Sequence, residues 1–151
     1  LSSRRMKASD TKPVVLKTPK PEGWDAQDRP VKVLVVDDEL IVRKLVTQVL
    51  KSAGYEIVGE AGDGRRAVDM YSLRRPDIVT LDVQMPIMDG FEALGQILQV
   101  NAKAVVVMLT NRMDKETVTK IIAAGAKDYI GKPVDRKLIL AKLRRLRGLP
   151  Y

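Results

Sequence analysis

Five short apolar runs, each followed by a segment of helical spacing, constrain what this chain can fold into more than any other feature. Residues 31–36, 56–59, 76–81, 104–109 and 127–130 have the length and composition of strands. After the first, Ile41, Leu45, Val46, Val49 and Leu50 recur with helical period up to the stop at Ala53-Gly54. Ala67, Val68, Met70 and Tyr71 mark a second helix. Phe91, Leu94, Ile97 and Leu98 mark a third, and Val118, Ile121 and Ile122 a fourth that stops at Gly125. From Pro133 onward, Leu138, Ile139, Leu140, Leu143 and Leu146 mark the last. Strands that alternate with helices in this way form a parallel sheet covered on both faces, a doubly wound α/β fold. Right-handed crossovers leave few ways to wire it.

The totals narrow the chemistry. A chain of 151 residues holds one domain with a proper core. It contains no histidine and no cysteine. That removes Ser-His-Asp hydrolysis, His/Cys zinc sites, disulfides and thiol chemistry. Any metal must be held by oxygen, which points to Mg²⁺ or Ca²⁺. The lack of cysteine fits a cytoplasmic protein, and no apolar run is long enough to predict membrane insertion. Residues 1–30 hold four prolines, scattered Lys and Arg and no periodic pattern. They are expected to form a basic, flexible or loosely docked arm that Trp24 could anchor, ahead of a folded body at 31–147 and a short tail at 148–151.

The chemistry collects where the strands end. Asp37 and Asp38 follow the first strand, Asp82 ends the third, Thr110 ends the fourth, and Lys132-Pro133 follows the fifth. In an open parallel sheet the carboxyl ends of the strands form the site. Each residue has an ordinary structural explanation as well. Asp38 and Asp89 could cap the first and third helices, Thr110 could cap the fourth, and Lys132 could be a solvated charge. Their joint arrival at one edge favours function. Carboxylates crowded together repel unless a cation sits among them. A carboxylate beside Mg²⁺, with an ammonium and a hydroxyl nearby, is equipment for phosphoryl transfer to an aspartate.

The segments Val35-Val36-Asp37-Asp38-Glu39, Leu81-Asp82-Val83-Gln84-Met85-Pro86-Ile87-Met88-Asp89-Gly90 and Lys132-Pro133 resemble the receiver domain of two-component response regulators. The resemblance runs from about Val31 to Leu146. It implies a flavodoxin-like (βα)5 fold with strand order 2-1-3-4-5. It matches Asp82 to the phosphoacceptor, and Asp37, Asp38, Asp82 and the backbone carbonyl of Gln84 to the Mg²⁺ ligands, with Mn²⁺ as a substitute. Thr110 and Lys132 match the phosphoryl-binding pair, Tyr129 the switch aromatic, and the Lys132-Pro133 bond is expected to be cis. The implied partners are a sensor histidine kinase or phosphotransfer protein, and a downstream protein bound by the face of the fourth helix, fifth strand and fifth helix. The implied protein is a signalling switch that catalyses only its own phosphorylation and dephosphorylation.

One position departs from the family pattern. Asn111 stands where a small residue is usual, so it is expected to narrow the approach to Asp82. Gln84 and Arg112 flank the site as further access-tuning positions. Only Gly148-Leu149-Pro150-Tyr151 follows the last helix, so a single-domain regulator or an excised receiver is expected. The cations of the last helix, among them Arg136, Lys137, Arg144 and Arg147, favour an acidic partner. Three other functions compete with this one. A receiver-like docking module independent of phosphorylation is opposed by the complete set Asp37, Asp38, Asp82, Thr110 and Lys132. Nucleic-acid binding is opposed by an arm with seven Lys or Arg against four Asp or Glu, and Trp24 alone to stack on a base. An Asp-x-Asp phosphatase does not fit Asp37-Asp38-Glu39.

Overall fold

The computed structural model describes residues 20–148. In chain order the elements are β1 (Lys32–Val36), α1 (Leu40–Ser52), β2 (Glu56–Ala61), α2 (Gly64–Arg74) and β3 (Ile78–Asp82). They continue with α3 (Gly90–Val100), β4 (Val106–Thr110), α4 (Lys115–Ala123), β5 (Asp128–Gly131) and α5 (Arg136–Leu146). All strand pairs are parallel, and the order is β2-β1-β3-β4-β5. This is the doubly wound sheet that the alternation predicts.

Side chains of successive strand residues point to opposite faces, and both faces are covered. Leu34 and Val36 of β1, Val79 and Leu81 of β3, and Val106 and Met108 of β4 pack under α2, α3 and α4. Their neighbours Val33, Val35, Val107 and Leu109 pack on the other face with Val46, Val49 and Leu50 of α1 and Ile139 and Leu143 of α5. Burial on both sides is why these strands are continuously apolar.

The helical stripes are narrower than the sequence pattern implies. Ile41 is 84% exposed, and Leu45, Ile122 and Leu138 are exposed as well. In α1 the buried line runs through Val46, Val49 and Leu50, so Ile41 and Leu45, one turn apart, share a solvent-facing strip. The last helix begins at Arg136 with Asp135 as its cap, not at Pro133.

Residues 20–30 lie against the body. Gly23 N donates to Ala53 O at 2.7 Å and Val31 N to Gly23 O at 2.6 Å. Arg144 of α5 and Arg147, just past its end, hold the Glu22 carboxylate and the Glu22 and Trp24 carbonyls. These contacts are backbone bonds and ion pairs, which leave no periodic trace in the sequence. The rest of the expected arm, residues 1–19, and the tail residues 149–151 lie outside the described residues.

Glycine sets the closest approach near the sheet edge. A Cβ on Gly90 would lie 2.1 Å from Asp82 O and 2.9 Å from Val83 Cα. Both neighbours are backbone and cannot swing aside. Gly90→Ala is expected to destabilise the protein by about 1–3 kcal/mol in urea denaturation, and to shift the amide resonances of Asp82 and Val83. Wild-type stability with unmoved resonances would contradict this packing.

Candidate functional site

Parallel wiring brings the strand ends together. Asp37 follows β1, Asp82 closes β3, Thr110 closes β4, and Lys132 follows β5. Asp37 is fully buried and Asp82 is 3% exposed. Between them sits the Lys132 ammonium, its side chain 6% exposed, 2.9 Å from Asp37 Oδ2 and 3.2 Å from Asp82 Oδ1. Glu39 Oε1 lies 3.4 Å from the same nitrogen. The Lys132-Pro133 peptide is cis.

Capping explains some of the aspartates and not others. Asp63, Asp89, Asp114 and Asp135 each accept a backbone N–H in the first turn of α2, α3, α4 and α5. No side chain caps α1, whose N-cap is Glu39. Asp38 is therefore exposed beside the site without a capping role, and Asp89 is a cap. Asp37 Oδ1 accepts from Glu39 N at 2.9 Å. Asp37 Oδ2 is buried, and the Lys132 ammonium at 2.9 Å is its ionic partner.

Carboxylate oxygens of Asp37, Asp38 and Glu39 lie within 4.8 Å of one another. An all-oxygen donor set and a lysine drawn among three carboxylates suit a hard divalent cation such as Mg²⁺. The family resemblance assigns Glu39 no role. Its place in the Asp-Asp-Glu run was the available signal.

Electrostatics follows from the crowding. Burial and then the charge of Asp37 push the Asp82 carboxyl up to about 7, against the pull of Lys132. Burial alone would lower the Lys132 ammonium, but pairing with Asp37 and Asp82 outweighs it and raises the group above its ordinary value.

The remaining expected residues sit around this centre. Thr110 is buried, and its hydroxyl is turned into its own loop: it donates to Arg112 O at 2.9 Å and accepts from Arg112 N at 3.0 Å. It caps no helix. Arg112 is exposed and pairs with Asp114 at 3.1 Å. Gln84 and Asn111, both exposed, line the hollows on either side of Asp82, the more enclosed of which has a volume of about 290 Å³. Tyr129 is half-buried, with the Lys142 ammonium 4.9 Å from its ring centre.

A family model described as response regulator receiver domain matches residues 33–144. The chain belongs to this family. The receiver is 43% identical over 117 residues to Protein CcdB of Bacillus subtilis, covering 78% of this chain and 98% of that protein. It is 42% identical to Chemotaxis protein CheY of Treponema pallidum, covering 82% and 87%. Among solved structures, the CheX-CheY-BeF3-Mg²⁺ complex from Borrelia burgdorferi contains a chain that matches with a TM-score of 0.81 and 36% identity, covering 84% of this receiver and 97% of that chain. Receiver domains are signalling proteins of two-component systems, and this one shares their fold and strand order.

The raised Asp82 carboxyl has a consequence for stability. In the unfolded chain it ionises near 3.8, and in the folded protein near 7. The folded state thus binds more protons between those values, and its stability falls as pH rises through that window, then levels off. In metal-free buffer at pH 8, Asp82→Asn is expected to be more stable than wild type by on the order of 2 kcal/mol, with little difference below pH 4. A variant equally stable or less stable at pH 8 would contradict the crowding of Asp82 against Asp37.

Proposed function

We propose that Asp82 is the phosphoacceptor of a cytoplasmic switch charged by a sensor histidine kinase or a phosphotransfer protein. The observation that carries this reading is the Lys132 ammonium held between buried Asp37 and Asp82, at the edge where oxygen donors gather. Asp37, Asp38, Asp82 and the Gln84 carbonyl would hold Mg²⁺, with Mn²⁺ as a substitute. The Borrelia relative, solved with BeF3 and Mg²⁺, supports the choice of cation by similarity. Bound there, the cation supplies positive charge that favours ionised Asp82 and offsets charge on the phosphoryl oxygens.

The protein's own groups do the rest. An Asp82 carboxylate oxygen attacks the phosphorus of a phosphohistidine, the P–N bond breaks, and its electron pair leaves with the imidazole nitrogen. Lys132 keeps the carboxylate in place and pairs with the oxygens of the transferred group. The Thr110 hydroxyl exchanges its bonds to the Arg112 backbone for one to a phosphoryl oxygen. That contact exists in one state alone, so it shifts the equilibrium of the β4–α4 loop and of Tyr129. The output is the face of α4, β5 and α5. On α5, Arg136, Lys137 and Arg145 are exposed, whereas Lys142, Arg144 and the C-capping Arg147 are partnered inside the chain. The cations available to an acidic partner are therefore fewer than the sequence suggests.

Labelling from acetyl phosphate tests this directly. Wild type with Mg²⁺ is expected to acquire label, and Asp82→Asn and metal-free wild type to acquire none. Equal label on Asp82→Asn would refute the assignment. Asn111→Ala is expected to label faster than wild type, because it opens the approach. An unchanged rate would remove Asn111 from the access positions.

A further inference from the structure

Arg43, on the first turns of α1, has no part in the chemistry above, yet its side chain is largely buried. Buried arginines are uncommon and are normally paired. Arg43 Nη1 donates to the backbone carbonyl of Asp37 at 2.7 Å, and Nε donates to Glu60 Oε1 at 3.3 Å. The second Glu60 oxygen accepts from Lys44 at 3.0 Å. The main chain closes the same corner, with Asp37 N donating to Ala61 O at 3.0 Å and Arg43 N to Glu39 O at 2.9 Å. The guanidinium therefore ties the turn carrying Asp37, Asp38 and Glu39 to the end of β2. Alone among the five helices, α1 has no side-chain cap. The fork of Arg43 takes over the task of fixing this turn.

We infer that Arg43, oriented by Glu60, is a positioning residue for the divalent-cation site: it holds the Asp37 carbonyl and thereby sets the direction of the Asp37 and Asp38 carboxylates. This rests on the cation site proposed above. Two effects oppose each other. A positive guanidinium near a dication weakens binding through space, and an ordered turn strengthens it. Glu60 neutralises Arg43, so the through-space effect is that of a close ion pair and falls off quickly. The ordering effect is the larger one, because residues that orient metal ligands are typically worth about tenfold or more in metal affinity.

The opposition in sign makes the test sharp. Mg²⁺ affinity is measured by calorimetry on the full chain for wild type, Arg43→Ala, Arg43→Lys, Glu60→Gln and Asp38→Asn, with Mn²⁺ binding by electron paramagnetic resonance alongside. Arg43→Ala is expected to weaken Mg²⁺ about tenfold although it removes a positive charge. Arg43→Lys keeps the charge but loses the two-pronged fork, and is expected to weaken Mg²⁺ by about threefold. Glu60→Gln is expected to weaken it as well, although it leaves the guanidinium in place. If Arg43→Ala does not fold, the lysine and glutamine variants decide. Affinities equal to or tighter than wild type in the folded Arg43 and Glu60 variants, with Asp38→Asn impaired, would overturn the role of Arg43 and leave the site standing. Wild-type affinity in Asp38→Asn would instead overturn the site itself. A lowered melting temperature with unchanged metal affinity would mark Arg43 as merely structural and would also overturn the inference.

Discussion

One ammonium group organises the reactive edge of this molecule. Lys132 lies against buried Asp37 and Asp82 and exposed Glu39, where the two buried negative charges would otherwise face one another with little water between them. Burying an unpaired carboxylate is costly, and burying two side by side costs more. Even with Lys132 present the balance is incomplete, since Asp82 remains pushed up to about 7. The edge is short of positive charge. A dication is the kind of charge that would relieve that shortage.

The fold creates this situation as a by-product of its core. Strands buried on both faces need parallel wiring with helical crossovers, and parallel wiring puts every strand's carboxyl end on one side. Asp37, Asp82 and Thr110 are thus neighbours although up to 73 positions separate them in the chain. Glycine completes the approach at Gly90, whose missing side chain lets α3 start against the Asp82 carbonyl. Function here depends on backbone proximity that the apolar layers enforce.

How much of this was legible in the sequence differs from element to element. The three central strands were readable because double burial leaves continuous apolar runs, and Asp37, Asp82 and Thr110 were placed by where those runs end. Asp38 and Asp89 looked alike as caps, and only geometry separates them: Asp89 bonds Glu92 N, whereas α1 has no side-chain cap. Ile41 and Leu45 fit the helical period yet face solvent, because periodicity fixes which residues share a face and not how wide the buried stripe is. The loop-facing hydroxyl of Thr110 and the ties from Arg144 and Arg147 to residues 22–24 leave no pattern at all. The same holds for Arg43 of α1, whose partner Glu60 lies on β2.

The central claim is that Asp82 alone among the crowded carboxylates receives the phosphoryl group. Borohydride reduction of the phosphorylated protein converts an acyl phosphate to an alcohol at the modified residue, and peptide mass spectrometry then locates it. Homoserine at position 82, with Asp37, Asp38 and Glu39 unchanged, is the expected result. Reduction at any of those three, or a phosphorylated protein with Asp82 intact, would contradict the account.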